Sequence, residues 1–275
     1  MKSARRDRIG PVAAAVAAGT LVAFLGLPIA ALVIRVPPGD LLRRLADPVL
    51  LDALRLSLLT SIAATAVVAV LGLPVAWLLA TRDFPGKRLL EVLIDLPMVL
   101  PPTVAGVGLL MAFGRNGLAG GALGTMGLSI PFTTLAVVVA QVFVAAPFFI
   151  SATRAGLSEV DPRYLDAAAT LRASPTRTLL RVMLPLALPS LVAGAAMTWA
   201  RALGEFGATI TFAGNMPGVT QTMPLAVYIA LQSDLDASVA MSVLLLALSL
   251  GVLFAIRIAA PGVSPLSRRA RPARS

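Results

Sequence analysis

The 275-residue sequence contains no cysteine and no histidine, and charged residues make up only 13% of it. The missing residue types exclude disulfide bonds, thiolate nucleophiles, imidazole general bases and the zinc or haem sites built on those ligands. The scarcity of charge leaves too little polar surface to cover a water-soluble globule, since 58% of the residues are hydrophobic. The composition therefore predicts a membrane protein and argues against most classes of enzyme.

Long apolar runs lie between the few charged residues. Six of these runs are long enough to cross a bilayer core of about 30 Å as helices. These runs comprise residues 9–34, 56–81, 89–113, 131–153, 182–206 and 237–256. The first run exceeds the apolar core of a signal peptide, so it is expected to remain as an anchor span. The sequence thus predicts an all-α membrane protein with six transmembrane helices.

Two apolar segments carry helix-breaking residues. The third run contains Pro97, Pro101 and Pro102, which predict a bent or broken helix that serves either as a static kink or as a gating hinge. Residues 207–232 are uncharged, but glycines and prolines divide them into pieces too short to span. This segment is expected to be an outer loop that dips back into the protein.

The net charge of +10 is distributed unevenly along the chain. With the amino terminus inside, the inner segments hold 17 basic residues, which are Lys2, Arg5, Arg6, Arg8, Arg82, Lys87, Arg88, Arg154, Arg163, Arg172, Arg177, Arg181, Arg257, Arg268, Arg269, Arg271 and Arg274. The outer segments hold five, which are Arg35, Arg43, Arg44, Arg55 and Arg115. The positive-inside rule therefore predicts that both termini are cytoplasmic. Because the basic residues form no stripe on a soluble face, no nucleic-acid partner is expected.

The longest inner segment, residues 154–181, contains two predicted helix starts. Ser158 with Asp161 three residues later matches a capping box in its Asp form. Ser174 followed by Pro175 matches an N-cap with proline at the first helical position. A short helix along the membrane, a tight turn and a second helix are therefore expected between the fourth and fifth spans.

The same segment carries a motif. Residues 164–189, YLDAAATLRASPTRTLLRVMLPLALP, resemble the cytoplasmic EAA loop of bacterial ABC importer permeases. In that family Glu-Ala-Ala is followed after three residues by Gly and then, at a fixed distance, by Leu-Pro. Asp166, Ala167 and Ala168 occupy the first positions here, and Leu184 and Pro185 occupy the last two. The resemblance implies a type I ABC importer permease, in which residues 158–174 form a coupling loop that docks on the ATP-binding subunit.

Two positions depart from the motif. Asp166 replaces Glu and keeps the carboxylate, whereas Arg172 stands where the family has the glycine of the turn. A non-glycine residue in a left-handed turn costs on the order of 1 kcal/mol, so the turn is expected either to tolerate that strain or to use another backbone conformation. The alternative for Ala167 and Ala168 is that small residues only let two membrane helices pack closely.

A second stretch of sequence indicates which substrate the permease carries. Residues 200–228, ARALGEFGATITFAGNMPGVTQTMPLAVY, look like the molybdate branch of these permeases, and the sulfate and thiosulfate branch is similar but less close. Residues 84–87 and 96–106 resemble the same branch. The resemblance implies an amino-terminal anchor span and outer loop (1–55), an ABC importer transmembrane domain (56–256) and a basic cytoplasmic tail (257–275). It also implies a bacterial inner-membrane location and molybdate, or tungstate, as the substrate.

Few charges lie at membrane depth, as expected of a path that must pass a dianion without holding it. Arg201 and Glu205, four residues apart in the fifth span, are predicted to pair, either as a structural pair or as part of an outer gate. The further candidates for the path are Thr103, Gly106, Thr209 and Thr211. A threonine in a membrane helix more often bonds to its own backbone, which is the alternative for the three threonines.

The chain contains no Gly-rich loop ending in Gly-Lys-Ser or Gly-Lys-Thr. The resemblance therefore implies that a separate subunit uses ATP and magnesium and that this chain needs no cofactor or metal. It implies four kinds of partner: a second copy of the chain, two ATP-binding subunits, an extracytoplasmic molybdate-binding protein and the lipid bilayer. The chain is accordingly expected to be a transport subunit and not an enzyme.

Two other protein classes remain as alternatives. An ion-coupled secondary transporter usually carries buried carboxylates or histidines for coupling, but only Glu91, Asp95 and Glu205 come near membrane depth here. An intramembrane enzyme would need a pair of catalytic groups, and the sequence has no histidine, no cysteine and no deeply placed pair of Asp residues. Both classes fit the sequence less well than an importer permease.

Overall fold

The structure is a computed structural model that describes residues 9–35, 39 and 47–259, and every regular element within these residues is helical. Basic residues that the sequence assigns to the chain ends and the first outer loop, among them Lys2, Arg43 and Arg268, lie outside the described residues. The helices are α1 (Ile9–Arg35), α2 (Pro48–Thr81), α3 (Lys87–Val99), α4 (Pro102–Phe113), α5 (Gly120–Thr125), α6 (Thr134–Ser158), α7 (Pro162–Thr170), α8 (Pro175–Thr178), α9 (Leu184–Leu203), α10 (Gly207–Ala213), α11 (Met223–Ser233) and α12 (Leu235–Ala259). A π-helical turn, Leu179–Met183, joins α8 to α9.

Five segments within the described residues are long and apolar enough to cross a membrane. They are Val12–Arg35, Pro48–Thr81, Thr134–Ser158, Pro175–Leu203 and Leu235–Ala255. Helices α3 and α4 meet the same criterion only as a pair, and the chain bends by 118° between them. The break lies at Leu100 and Pro101, so the broken third helix that the prolines predict is confirmed. The prediction of six spans holds when this pair counts as one.

Helix ends differ from the ends of the apolar runs. Helix α2 begins at Pro48 rather than at residue 56, because the Asp47 carboxylate accepts a hydrogen bond from the Val49 N–H (2.9 Å) and caps the helix. Helix α6 continues to Ser158, past the predicted end at residue 153. Charged residues mark where an apolar run ends, whereas backbone hydrogen bonding continues through them.

Helix α6 lies at the centre of the bundle and runs parallel to α2. Ala64 of α2 packs with Ala145 of α6, and farther along both helices Ala76 and Leu79 pack with Ile150. Because α2 and α6 point the same way, the chain between them must return across the bundle. The broken pair α3 and α4 makes that return.

Helix α9 packs against α6 in the opposite direction. Thr198, near the end of α9, donates a hydrogen bond to the Ala145 carbonyl (3.4 Å), while Ser190, nearer its start, touches the later residue Gly156. A side chain at Gly156 would collide with Ser190, so the glycine permits this close approach. Small residues at such crossings are typical of membrane bundles, where packing rather than the hydrophobic effect holds helices together.

Helix α1 lies at the periphery. Its apolar side chains are exposed, for example Phe24 at 71% and Ile34 at 82%, as suits a helix surrounded by lipid. Leu32, near its end, packs against Val239 and Val243 of α12. The first span is therefore attached mainly through the last one.

Residues 207–232 form α10 and α11, and the protein buries much of both. Phe212 and Met223 are fully buried, and the hydroxyl of Ser57 in α2 accepts a hydrogen bond from the Met223 N–H (2.7 Å). The expectation that this segment dips back into the protein is confirmed. Its description as a loop is wrong for α10 and α11, which are helical.

Candidate functional site

The first element of the predicted coupling loop is helix α7. Its N-cap is Asp161, whose carboxylate accepts a hydrogen bond from the Arg163 N–H (2.9 Å), and Pro162 takes the first helical position. The predicted start at Ser158 is wrong, because Ser158 is still the last residue of α6. Only Glu159 to Asp161 separate the two helices. The short connection ties the orientation of α7 to the inner end of α6.

Helix α7 ends in a left-handed turn at Arg172. The Arg172 N–H donates to the Ala169 carbonyl (2.9 Å) and the Ala173 N–H donates to the Ala168 carbonyl (3.0 Å), the hydrogen-bond pattern of a Schellman motif. Arg172 has φ 54°, the conformation that glycine adopts most readily. Of the two outcomes open from the sequence, the turn therefore tolerates the strain.

The second element of the loop leads into the fifth span. The Ser174 hydroxyl accepts a hydrogen bond from the Arg177 N–H (3.3 Å), so the predicted N-cap is confirmed. The following turn is π-helical, with the Leu184 N–H donating to the Leu179 carbonyl. Pro185 explains this wider turn, since proline lacks an N–H and its ring crowds the carbonyl four residues earlier.

Leu165 and Leu184 attach α7 to the membrane helices. Both pack against a buried apolar cluster that includes Leu157 of α6 and Met183 of the π-helical turn. Leu184, one of the motif residues, is half-buried there, and Pro185 is exposed. Leu184 therefore helps to fix where the coupling loop emerges from the bundle.

The motif residues of α7 point in two directions. Ala168 is buried against the protein, whereas Asp166 and Ala167 are exposed. Tyr164 and Leu171, which come before and after Ala168 in the chain, are 54% and 82% exposed. A cavity of 430 Å³, here called the coupling groove, opens beside them, and it is lined by Tyr164, Ala167, Ala168, Leu171, Ala173, Arg177, Arg181 and Val182. Exposed apolar side chains around a concave surface are typical of a protein interface.

The predicted pair at the outer end of the fifth span is formed. Arg201 Nη2 lies 2.7 Å from Glu205 Oε2, and the two side chains are 28% and 1% exposed. Among the described residues Oε2 meets no donor in hydrogen-bond geometry, so its attraction to Arg201 is electrostatic. The directed hydrogen bond goes to Oε1, which accepts the Ala208 N–H at 2.8 Å. Glu205 thus neutralises Arg201 and also caps α10.

Helix α10 packs closely on α4, the half of the broken span that the positive-inside rule places toward the outer surface. A Cβ atom added to Gly106 would lie 2.7 Å from Thr211 Cβ, and one added to Gly207 would lie 2.7 Å from Pro102 Cβ. Contacts this short leave no room for a side chain, so both glycines are needed for the approach. We call this contact the outer junction.

The four further candidates for the path lie at or beside the outer junction. Gly106 and Thr211 face each other across it, and Thr211 donates its hydroxyl to the Gly207 carbonyl (2.8 Å), the backbone alternative raised for threonine. Thr209 is fully buried and its hydroxyl has no hydrogen-bond partner among the described residues. Thr103 is exposed. The structure thus brings the candidates together, with Thr103 exposed, Thr211 partly buried and Thr209 fully buried.

Polar contacts of two further residue pairs were not expected from the sequence. Arg154 Nη1 of α6 lies 2.7 Å from Glu91 Oε1 of α3, and the Ser151 hydroxyl donates to Asp95 Oδ1 at 3.3 Å. In the sequence, the signal for these contacts was the presence of two isolated carboxylates, Glu91 and Asp95, near the start of the third span. Their partners follow only from the packing of α3 on α6.

A buried glutamine was also missed. Gln141, the eighth of the 25 residues of α6, is fully buried, and neither its amide nitrogen nor its amide oxygen has a partner among the described residues. A lone amide inside a 25-residue apolar helix was the signal that could have found it. An unpaired buried amide is costly, so Gln141 is an unfavourable residue for a purely apolar core.

The sequence matches the family described as "Binding-protein-dependent transport system inner membrane component" over residues 72–265. It is 42% identical over 240 residues to the molybdenum transport system permease protein ModB of Mycobacterium tuberculosis, covering 87% of this chain and 91% of that protein. It is 39% identical to ModB of Escherichia coli, covering 74% and 89% of the two chains. It is also 37% identical to the sulfate transport system permease protein CysT of Escherichia coli, covering 77% of each.

Solved structures support the fold. A bacterial ABC transporter that imports the acidic polysaccharide alginate contains a chain with a TM-score of 0.76, at 12% identity, over 96% of this chain and 98% of that one. The methionine ABC transporter MetNI contains one with a TM-score of 0.61, at 24% identity, over 78% and 96%. The predicted type I ABC importer permease fold is confirmed.

The matched relatives are transport permeases, which confirms the expectation of a transport subunit rather than an enzyme. The family match includes the broken span, the coupling loop and the outer junction. This chain belongs to the multi-pass inner membrane components of binding-protein-dependent ABC transport systems.

Proposed function

We propose that this chain is the permease through which an ATP-driven importer moves molybdate, with tungstate as an equivalent substrate, into the cytoplasm. The observation that carries the proposal is the 42% identity to ModB over 87% of the chain. Sulfate or thiosulfate is the second candidate, because CysT is 37% identical over 77% of the chain. All of these substrates are tetrahedral dianions, so the choice between them rests on the higher identity to ModB.

The outer junction has the electrostatics that such a substrate needs. The ion pair of Arg201 and Glu205 leaves no net charge at this depth, and their neighbours in α4 and α10 are small or neutral. A fixed positive charge would bind a dianion and hold it, whereas a compensated pair permits passage. We propose that Thr103, Gly106, Thr209 and Thr211 form the wall of the path with this pair, which opens with the outer gate.

Transport in proteoliposomes tests the substrate. The chain would be reconstituted with its ATP-binding subunit and loaded binding protein, and uptake of labelled molybdate would be measured against unlabelled competitors. Molybdate and tungstate are expected to compete equally, and sulfate only in large excess. Uptake of labelled sulfate at the same rate would contradict the assignment and favour the second candidate.

We propose that the coupling loop docks on the ATP-binding subunit and that Asp166, Ala167, Ala168, Arg172, Leu184 and Pro185 set its shape. The exposed Ala167 and Leu171 around the coupling groove support this role. Two copies of this chain and two ATP-binding subunits complete the transporter, and the ATP-binding subunits use ATP and magnesium. The chain itself takes no cofactor.

An extracytoplasmic molybdate-binding protein is the remaining proposed partner. A cavity of 630 Å³ lies between the end of α4 and the start of α6, on the side opposite the coupling loop, and its lining includes the exposed Arg115 and Phe132. Phe132 holds φ 61°, a rare conformation for an aromatic residue that is typical of constrained functional segments. This surface faces the compartment from which the substrate arrives.

We infer that both termini are cytoplasmic and that residues 56–256 form the transport unit, with residues 1–55 as an added anchor span and outer loop and residues 257–275 as a basic tail. The distribution of basic residues supports this orientation. Single cysteines in this cysteine-free chain test it. Leu118, 97% exposed in the segment between α4 and α5, and Leu171, 82% exposed in the coupling loop, are matched labelling positions. An impermeant thiol reagent added to intact spheroplasts is expected to modify Leu118→Cys and not Leu171→Cys; the reverse would overturn the orientation.

A further inference from the structure

Helix α3, the inner half of the broken span, is loosely seated. None of its 13 residues is buried. Its apolar contact with the bundle comes from Leu90 and Ile94, which are partly buried against the cluster of Ala76, Leu79 and Ile150. An element with so little buried surface is among the first to move in a folded protein.

Two polar contacts join α3 to α6. Glu91 and Asp95 lie one turn apart on α3, and Ser151 and Arg154 lie one turn apart on α6. Glu91 Oε1 is 2.7 Å from Arg154 Nη1, and Asp95 Oδ1 accepts a hydrogen bond from the Ser151 hydroxyl at 3.3 Å. We call these four residues the clasp. The two contacts follow the same line along the helices and so fix the position of α3 along α6.

The clasp lies between the coupling loop and the outer junction. Helix α6 continues through three residues into α7, so a displacement of the coupling loop reaches Arg154 directly. Helix α3 continues through the break at Leu100 and Pro101 into α4, which Gly106 holds tightly against α10. Within the described residues, the clasp supplies the side-chain polar contacts between α3 and α6.

The exposure of the clasp suits an interaction that opens and closes. The side chains of Arg154 and Glu91 are 40% and 27% exposed. Partly exposed ion pairs add little to folding stability, and they break and reform easily. The proline break adds the second requirement of a moving element, which is a point where the backbone hydrogen bonds of the helix are already interrupted and the chain can change direction.

We propose that the clasp couples the movement of the ATP-binding subunits to the broken span, with Glu91, Asp95, Ser151 and Arg154 as positioning residues. In one nucleotide state the clasp is closed, so a movement of α6 carries α3 with it and the hinge at Leu100 and Pro101 passes the movement to α4 and the outer junction. In the other state the clasp is open and α3 separates from α6. This inference rests on the proposed function for the docking of the coupling loop and not on the identity of the oxyanion.

Charge reversal in the full reconstituted transporter tests the clasp. Glu91→Lys and Arg154→Glu each place like charges together, and the double variant restores the pair in the opposite order. The single variants are expected to reach the membrane, copurify with the ATP-binding subunit and keep basal ATP hydrolysis. Stimulation of hydrolysis by loaded binding protein is expected to fall by about fivefold or more, the size of a typical coupling effect, and to recover in the double variant. Arg88→Glu, an exposed charge reversal on the same helix, is the matched control and should behave like the parent.

A second measurement separates this proposal from the substrate assignment. Cysteines replacing the exposed Arg88 and Ser158, which lie about one turn beyond Glu91 on α3 and beyond Arg154 on α6 and leave the clasp intact, would be cross-linked with a short bifunctional maleimide in the presence and absence of ATP and vanadate, with no oxyanion added. The clasp predicts a yield that changes with nucleotide. An unchanged yield, or full stimulation in the single variants, would overturn the clasp. If the yield depends on nucleotide but the transporter does not carry molybdate, the proposal for the clasp stands and the assignment of molybdate as the substrate is wrong.

Discussion

The two ends of the fifth span are built in different ways. At the inner end, the coupling loop is held by contacts between near neighbours in sequence, such as the Asp161 cap, the turn at Arg172 and the Ser174 cap. At the outer end, the junction is held by residues about 100 positions apart, Gly106 with Thr211 and Pro102 with Gly207. The inner end therefore keeps its shape while its surface stays free for a partner, whereas the outer end takes shape only when the broken span is in place.

The largest effect is expected at the outer end, from breaking the ion pair. Arg201→Gln leaves the Glu205 carboxylate, 1% exposed, without its countercharge, which costs on the order of 3 kcal/mol. Folded yield and thermal unfolding in detergent would be measured for Arg201→Gln, Glu205→Gln and the double variant. The double variant is expected to lose less than the sum of the two single variants, because it leaves no unpaired charge. Strictly additive losses would mean that the two residues do not interact.

A slightly smaller effect is expected from filling the outer junction. Gly106→Ala adds a Cβ atom 2.7 Å from Thr211 Cβ and is expected to cost about 1 to 3 kcal/mol and to lower transport. Gly108→Ala, two residues along the same helix, meets nothing within 4 Å and is the matched control. Thermal unfolding and transport of the two variants are compared directly. Equal behaviour would show that α4 and α10 do not pack as closely as described.

At the inner end, bulk should affect docking and leave folding unchanged. Ala167→Trp lies on the exposed side of α7 and is expected to reach the membrane in normal amount. Overpacking of the interface by about 1 to 3 kcal/mol would weaken copurification with the ATP-binding subunit roughly tenfold or more. Ala187→Trp, at a position only 2% exposed in α9, should instead disturb folding. If Ala167→Trp copurifies with the ATP-binding subunit as well as the parent does, the coupling loop is not the docking element.

The smallest effect is expected at the turn itself. Arg172→Gly relieves the left-handed backbone but gives the unfolded chain more freedom, so stability should change by less than about 1 kcal/mol. Arg172→Val places a β-branched residue at the same φ and should lose about 1 to 2 kcal/mol. Thermal unfolding would be measured to compare the stability of the two variants. If valine were as stable as glycine, the turn would not adopt the left-handed conformation.

The sequence was informative wherever a signal lies within a few residues. Pro97, Pro101 and Pro102 predicted the broken span, and Ser174 with Pro175 predicted the second helix start of the loop. The error at Ser158 came from the same kind of signal, because an Asp-form capping box and a continuing helix differ only in backbone hydrogen bonding. The description of residues 207–232 as a loop failed because the glycines and prolines there shorten helices without abolishing them.

Composition and apolar run lengths determined that this protein is an α-helical membrane protein, and the resemblance of residues 164–189 to the EAA loop indicated a permease. Spacing alone was enough to place Arg201 one turn from Glu205. Only the tertiary structure decided that Glu205 also caps α10, that Gly106 meets Thr211, and that Glu91 finds Arg154. Helical periodicity fixes neighbours three or four residues apart, because the backbone sets their distance. Neighbours on different helices depend on crossing angles and on the direction of the broken span, which arise from the packing of the whole bundle.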